Sequence, residues 1–304
     1  LNPPRDLPDI EHRIAVARSF LFVPGDRPDR IRKALDAGAD AVIIDLEDAV
    51  RPEARPFARS VVRDLAGDFG DSSHSVVLAR VNPHGSADFT ADVTAVLDGL
   101  LDGIVVSKFV AGDAASEMDA AMTALETGRI GVHPTPVIGL VESAAGVLGL
   151  SVPSGLPPRV VRLAFGAADL YADLRMSYRK SGIYTDLVMT TLVIASAAAN
   201  LPAPLDSPHF SISDEAGMVE AVGRARERGF GGTLCIHPGQ VAIVNTGFAA
   251  TEEERAWAVK VLAAWSDPST STAGAIRVGD ELVDEAMARR ARQIVDHAAA
   301  DAPR

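Results

Sequence analysis

Eight short apolar runs recur along this 304-residue chain, each closing on a polar or charged residue just before a turn. The runs are Phe20 to Val23, Ala41 to Ile44, Val76 to Ala79, Gly103 to Val106, Pro136 to Val141, Val161 to Phe165, Ala203 to Leu205 and Leu234 to Ile236. At or just past their ends stand Asp26, the acidic group Asp45, Glu47 and Asp48, Arg80 with Asn82, Lys108, Glu142, Asp169, Asp206 and His237. Ala-rich stretches of helical period separate the runs. Strand, polar end and helix, repeated eight times, predict an α/β fold, a closed (β/α)8 TIM barrel whose chemistry lies at the carboxyl ends of its strands.

The barrel is expected over residues 18–248, because such units reach about 250 residues as one domain. Residues 1–17, with Pro3, Pro4 and Pro8, read as an irregular N-terminal arm, and residues 249–304 as a C-terminal helical extension, a cap or a lid. Thr251-Glu252-Glu253-Glu254 has the spacing of a capping box for a helix reaching Trp265. The stretch from Ser266 to Gly274 has the composition of a polar mobile loop, and a basic helix carrying Arg289, Arg290 and Arg292 closes the chain. With 41 acidic against 29 basic residues, the net charge of -12 argues against non-specific nucleic-acid binding. A single cysteine, Cys235, excludes an intramolecular disulfide and reads as a packed barrel thiol. Leu187 to Leu205 carries no charge, yet Thr190, Ser196, Asn200, Pro202 and Pro204 suit a buried helix running into a strand rather than a membrane span. A soluble, cytoplasmic protein with no membrane partner is expected.

Glu142 and Asp169 follow what would be the fifth and sixth strands, so their carboxylates can converge. Two carboxylates without histidine or thiolate partners form a hard oxygen site suited to Mg²⁺. The other reading, that each merely caps the helix after it, is equally open. Arg80 could bind a substrate carboxylate or stabilise an enolate oxygen, or pair with the Asp45-Leu46-Glu47-Asp48 cluster next door, or both. Arg27, Arg30, Arg32 and Lys33, where a helix is predicted to open near Pro28, could hold phosphates or form a solvated face. His237 reads as a hydrogen-bonded residue of the barrel mouth. No nucleotide-binding glycine loop, nucleophile elbow or zinc spacing is present.

Six segments carry a resemblance: Leu21 to Pro28, Ile44-Asp45-Leu46-Glu47-Asp48-Ala49-Val50, Arg80-Val81-Asn82, Val141-Glu142-Ser143-Ala144, Phe165-Gly166 through Asp169-Leu170, and Ile236-His237-Pro238-Gly239-Gln240. In this order they resemble the citrate lyase beta-subunit-like family of coenzyme A-ester lyases, within the wider malyl-CoA lyase and HpcH/HpaI aldolase superfamily. The resemblance implies a homotrimer of barrels, Mg²⁺ on Glu142 and Asp169, and Arg80 at the substrate carboxylate and developing enolate. It also places Arg27, Arg30 and Lys33 against the coenzyme A phosphates. Gly274-Ala275 followed by Leu282-Val283-Asp284 looks like the lid of stand-alone members, whose aspartate enters a neighbouring subunit as acid/base. Thr233, Ser107, Ala168 and Ala286 depart from the family's usual residues without removing a metal ligand.

The expected reaction is reversible Claisen-type cleavage of a carboxylated 3-hydroxyacyl-CoA of malyl, citramalyl or citryl type to acetyl-CoA and a 2-oxo acid. Asp284 is the first choice of base and Glu47 the second. The alternatives are a class II aldolase acting on free 4-hydroxy-2-oxo acids, and a citrate lyase beta subunit that needs an acyl-carrier thioester.

Overall fold

The computed structural model describes residues 7–65, 75–129, 133–151, 155–177, 182–266 and 274–300, with side chains to residue 296. It divides into two compact units, Leu1–Gly247 and Phe248–Arg304.

The first unit is a closed parallel barrel in which each strand pairs with the next in sequence and the last pairs with the first. Its strands are β1 (Ser19–Pro24), β2 (Ala41–Asp45), β3 (Val76–Val81), β4 (Gly103–Val106), β5 (Val137–Val141), β6 (Val160–Phe165), β7 (Leu205–Asp206) and β8 (Gly232–Cys235). Seven of the predicted runs are strands over most of their length, whereas of Ala203 to Leu205 only Leu205 lies in a strand, β7. The strands are apolar on both faces because one face lines the barrel and the other lies under helices. Phe20, Ile43, Leu78, Val105, Leu140, Ala164 and Leu234 belong to a single buried core cluster. The helices are α2 (Pro28–Leu35), α3 (Arg55–Asp64), α4 (Phe89–Gly99), α5 (Asp113–Glu126), α6 (Ala144–Gly149), α7 (Ala167–Asp173), α8 (Ile183–Ala198), α9 (Glu215–Glu227) and α10 (Val241–Phe248). As expected, α2 starts on a proline, whose missing N–H is no loss in a first turn.

Before the barrel, residues 7–16 are not irregular: Leu7–Val16 form a helix, α1. Pro8 falls in its first turn, where it breaks no helical hydrogen bond. Ile10, Ile14 and Ala17 then pack into the barrel cluster. The fully buried Arg162 of β6 fastens α1 there, donating from Nη1 to the carbonyls of Ile14 and Ala17, both at 2.7 Å, and from Nε to that of Ala203 at 2.8 Å. Helix α8 also departs from expectation. Its inner side is buried through Val188, Met189, Leu192 and Ala195, but Ile183, Tyr184, Leu187 and Ile194 are exposed. Among the described residues, no helix is long and apolar enough to cross a membrane.

The second unit holds α11 (Glu252–Trp265), the antiparallel pair β9 (Ala275–Val278) and β10 (Glu281–Asp284), and α12 (Glu285–Ala300). The capping box is present: Thr251 Oγ1 accepts the Glu254 N–H at 3.1 Å and Glu254 accepts the Thr251 N–H at 2.9 Å. Residues 267–273 of the expected mobile loop lie outside the described residues. The hairpin is an addition to the helical extension read from the sequence. Its signal was Gly279-Asp280 between two alternating segments, Gly279 taking a φ of 65° that suits glycine. Alternation buries Ile276, Val278 and Val283 against Ala258, Val261 and Ala291, and leaves Leu282 and Asp284 outward.

Candidate active site

The carboxyl ends of β2 to β6 carry six charged groups: Asp45, Glu47, Arg80, Lys108, Glu142 and Asp169. Asp45 and Arg80 end neighbouring strands and are register partners, so both side chains leave the same face. Arg80 donates from Nε to Asp45 Oδ1 at 2.8 Å and from Nη2 to Oδ2 at 2.5 Å, a bidentate fork. Its Nη1 stands 3.1 Å from Glu47 Oε2, and its guanidinium lies 5.0 Å from the centre of the Phe22 ring. Burial by itself would lower the Arg80 pKa, but Asp45, Glu47 and Glu142 outweigh it and hold the guanidinium charged. The ion-pair reading of Arg80 is therefore realised, without using all its donors.

Glu47 is buried at 2% exposure, and Lys108 Nζ donates to its Oε1 at 2.9 Å. Oε2 has no hydrogen-bond partner among the described residues, since the Arg80 contact lacks the alignment. Burial raises the Glu47 pKa more than Arg80 and Lys108 lower it. The loop carrying Glu47 is held from below by Asn82, whose amide donates to the Leu46 carbonyl at 2.9 Å and to Asp92 at 2.7 Å. Asp92 in turn takes the Arg59 Nε at 2.7 Å.

Glu142 follows β5 and Asp169 lies in the first turn of α7, after β6, where Val141 and Phe165 are in register. Neither caps its helix. Ser143 caps α6 by accepting the Gly146 N–H, and α7 begins at Gly166 without a side-chain cap. Glu142 Oε1 accepts the Lys108 N–H at 2.9 Å. Burial, then the charge of Glu47, then that of Asp169, push the Glu142 pKa up to about 8, so negative charge is crowded here. Gly166 makes room for it: a Cβ there would stand 2.5 Å from Glu142 Cβ and 2.6 Å from Oε2. Among the described residues, no three metal-ligating side chains cluster. The donor set is two carboxylates, which is the number Mg²⁺ needs when waters and substrate oxygens complete its shell.

The other candidates are carried by other elements. Arg27, Arg30 and Lys33 are exposed on and just before α2, Arg27 facing Asp29 at 3.5 Å. Asp284 belongs to the second unit, where its Oδ1 accepts the Met287 N–H at 3.0 Å and starts α12. His237 Nδ1 accepts the Gly239 N–H at 3.1 Å. Cys235 is buried, with its thiol pushed up to about 12, and is inert. Behind β6 to β8, a separate cavity of about 70 Å³ is lined by Asp206, His209 and Thr233 among others. From the sequence, Lys108 was one of the cations that could pair with the acidic cluster, as it does with Glu47, but its contact with Glu142 was not foreseen and Asp45 was not singled out as the anchor of Arg80. Strand register was the signal for Asp45, whereas the turn that aims Lys108 left none.

Comparison with known proteins accords with this geometry. Residues 18–238 match the family model described as HpcH/HpaI aldolase/citrate lyase. A citrate lyase subunit beta-like protein of Mycobacterium tuberculosis is 34% identical over 91% of this chain and 96% of its own length. An L-malyl-CoA/beta-methylmalyl-CoA lyase of Rhodobacter capsulatus is 28% identical over 92% and 94%. The crystal structure of CitE from Mycobacterium tuberculosis with magnesium, acetoacetate and coenzyme A matches with a TM-score of 0.73 at 30% identity, covering 94% of this chain and 99% of that one. With its barrel matched almost end to end and its strand-end acids in place, the chain belongs to the HpcH/HpaI aldolase/citrate lyase family.

Proposed function

We propose that the protein is a Mg²⁺-dependent coenzyme A-ester lyase that reversibly cleaves a carboxylated 3-hydroxyacyl-CoA to acetyl-CoA and a 2-oxo acid. The observation that carries this reading is the placement of Glu142 and Asp169 at adjacent strand ends beside the Arg80 guanidinium. Glu142 and Asp169 would hold Mg²⁺, which when bound supplies Lewis-acid polarisation of the oxygen next to the scissile bond. A CitE structure with magnesium and pyruvate, and a citrate lyase beta subunit structure with oxaloacetate and magnesium, support a 2-oxo acid as one product.

Arg80 spends two of its five N–H donors on Asp45. Nη1, 3.1 Å from Glu47 Oε2 but not hydrogen-bonded to it, can still turn its N–H groups to a substrate carboxylate or to the enolate oxygen that develops on cleavage. Asp45 fixes the plane of the guanidinium in advance, so little reorganisation is needed at the reacting atoms. Asp284 is the acid/base that takes the hydroxyl proton, its exposed position on β10 fitting a group that acts outside its own unit. Glu47 is the weaker candidate because Lys108 and Arg80 already engage it. Arg27, Arg30 and Lys33 provide a cationic face for the coenzyme A phosphates. The exposed apolar stripe Ile183, Leu187 and Ile194 on α8 supports self-association, as a trimer in this reading, with the lid aspartate supplied by a neighbour. A cytoplasmic setting fits a chain whose one thiol is buried and unpaired.

The test mixes purified protein and Mg²⁺ with acetyl-CoA and glyoxylate, pyruvate or oxaloacetate in turn, and reads condensation products by mass. A coenzyme A adduct with one oxo acid is the expected result. Cleavage of free 4-hydroxy-2-oxo acids without coenzyme A would replace the proposal with the aldolase reading.

A further inference from the structure

Lys108 has no part in the reaction as derived, yet the barrel goes to some length to place it. Its φ of 49° lies in the left-handed region, which is unfavourable for a residue with a side chain. The residues on either side are pinned to two different strands. Ser107 Oγ donates to the Val81 carbonyl at the end of β3 at 2.6 Å, and the Phe109 N–H donates to the Leu140 carbonyl of β5 at 3.0 Å. The Phe109 ring is seated against Gly139, where a Cβ would stand 2.7 Å from it. In that forced turn the two donors of Lys108 diverge. The N–H meets Glu142 Oε1 and the ammonium meets Glu47 Oε1, both at 2.9 Å.

Glu47 is thus a further buried acid within electrostatic reach of Glu142, with one oxygen held by Lys108 and the other 3.1 Å from Arg80 Nη1 but without a hydrogen bond. An acid in that state would turn toward a divalent cation if released. Resting on the Mg²⁺ reading above, we propose that Lys108 is a positioning residue that reserves the metal site for two carboxylates. It aims Glu142 through its backbone and withholds Glu47 through its side chain, leaving coordination positions for substrate oxygens. A third carboxylate would bind the ion more tightly and occupy a position that the substrate needs.

Magnesium titration calorimetry on the full chain tests this without turnover. Lys108→Met is expected to tighten Mg²⁺ binding about tenfold, since one cation is lost and one carboxylate released. Lys108→Arg, which still pairs with Glu47, is expected to stay near wild type. In a Glu47→Gln background, Lys108→Met should change the affinity little, because there is no acid to release. Equal tightening in both backgrounds would mean that only bulk charge was removed, and would overturn the withholding role. Unchanged or weaker binding in Lys108→Met would do the same. In the kinetic assay, KM for the oxo acid should rise in Lys108→Met and recover in Lys108→Arg. Wild-type Mg²⁺ affinity in Glu142→Ala would overturn the metal assignment itself, an outcome distinct from failure of the Lys108 cycle. Lys108 is 43% exposed at its side chain, so these variants are expected to fold, which circular dichroism checks.

Discussion

Individual side chains carry the sharpest expectations. Glu142→Ala and Asp169→Ala should each abolish turnover while the melting temperature stays near wild type, because neither caps a helix; a variant with full activity would remove the site. Gly166→Ala should cut kcat about a hundredfold, since its methyl group claims the space of the Glu142 carboxylate and a shift near 1 Å is costly in a catalytic constellation. Asp206 offers a pH experiment away from this cluster. Burial raises its pKa to about 7, from an ordinary 3.8, against the lowering effects of the Ser207 N–H, Arg228 and Arg224. The folded state therefore keeps a proton that the unfolded state has lost between pH 3.8 and 7, and stability falls as pH rises through that window. Asp206→Asn mimics the protonated form and still accepts the Ser207 N–H. Its melting temperature should match wild type near pH 4 and exceed it above pH 7 by on the order of 5 °C. A gap that does not change with pH would contradict the assignment.

At the level of elements, α1 hangs on one cation. Arg162 is fully buried and serves the carbonyls of Ile14, Ala17 and Ala203, while its guanidinium sits 5.5 Å from the centre of the Phe20 ring. Arg162→Met would leave those three carbonyls without their donor, at a cost of about 3–5 kcal/mol. Urea unfolding should show that loss, and protease should cut first within residues 7–16. The site-bearing turns differ in how far they could be read beforehand. Residues Glu142 and Asp169 stood out because each ends an apolar run, and the pairing of Arg80 with the acidic cluster was foreseen from adjacent strand ends. The helix at Leu7–Val16 was obscured by Pro8, although Ile10, Ile14 and Ala17 already had helical spacing. The β9–β10 hairpin was overlooked because two four-residue strands give too short an alternation to compete with the helices around them.

For the whole molecule, the self-association proposed above would rest on apolar contact at the α8 stripe rather than on charge, since the chain carries a net charge of -12. The pair Leu187→Asp and Ile194→Glu, on one side of α8, should convert the trimer of our proposal to monomer in light scattering while preserving the barrel's circular dichroism. Loss of activity on dissociation is expected if Asp284 acts in a neighbour, whereas a fully active monomer would show that it acts within its own chain.

By itself, the order of residues determined the barrel, because strands covered on both faces must be apolar throughout and polar only where they emerge. It likewise determined which acids and which arginine stand at the rim. Tertiary structure alone decided what those groups are doing: that Asp45 rather than Glu47 forks Arg80, that Ser143 frees Glu142 from capping, and that a left-handed turn sends Lys108 toward two acids at once. Such choices depend on register and on contacts between residues as much as 61 positions apart, as in the Lys108–Glu47 pair. Local sequence pattern has no means of encoding distances of that kind.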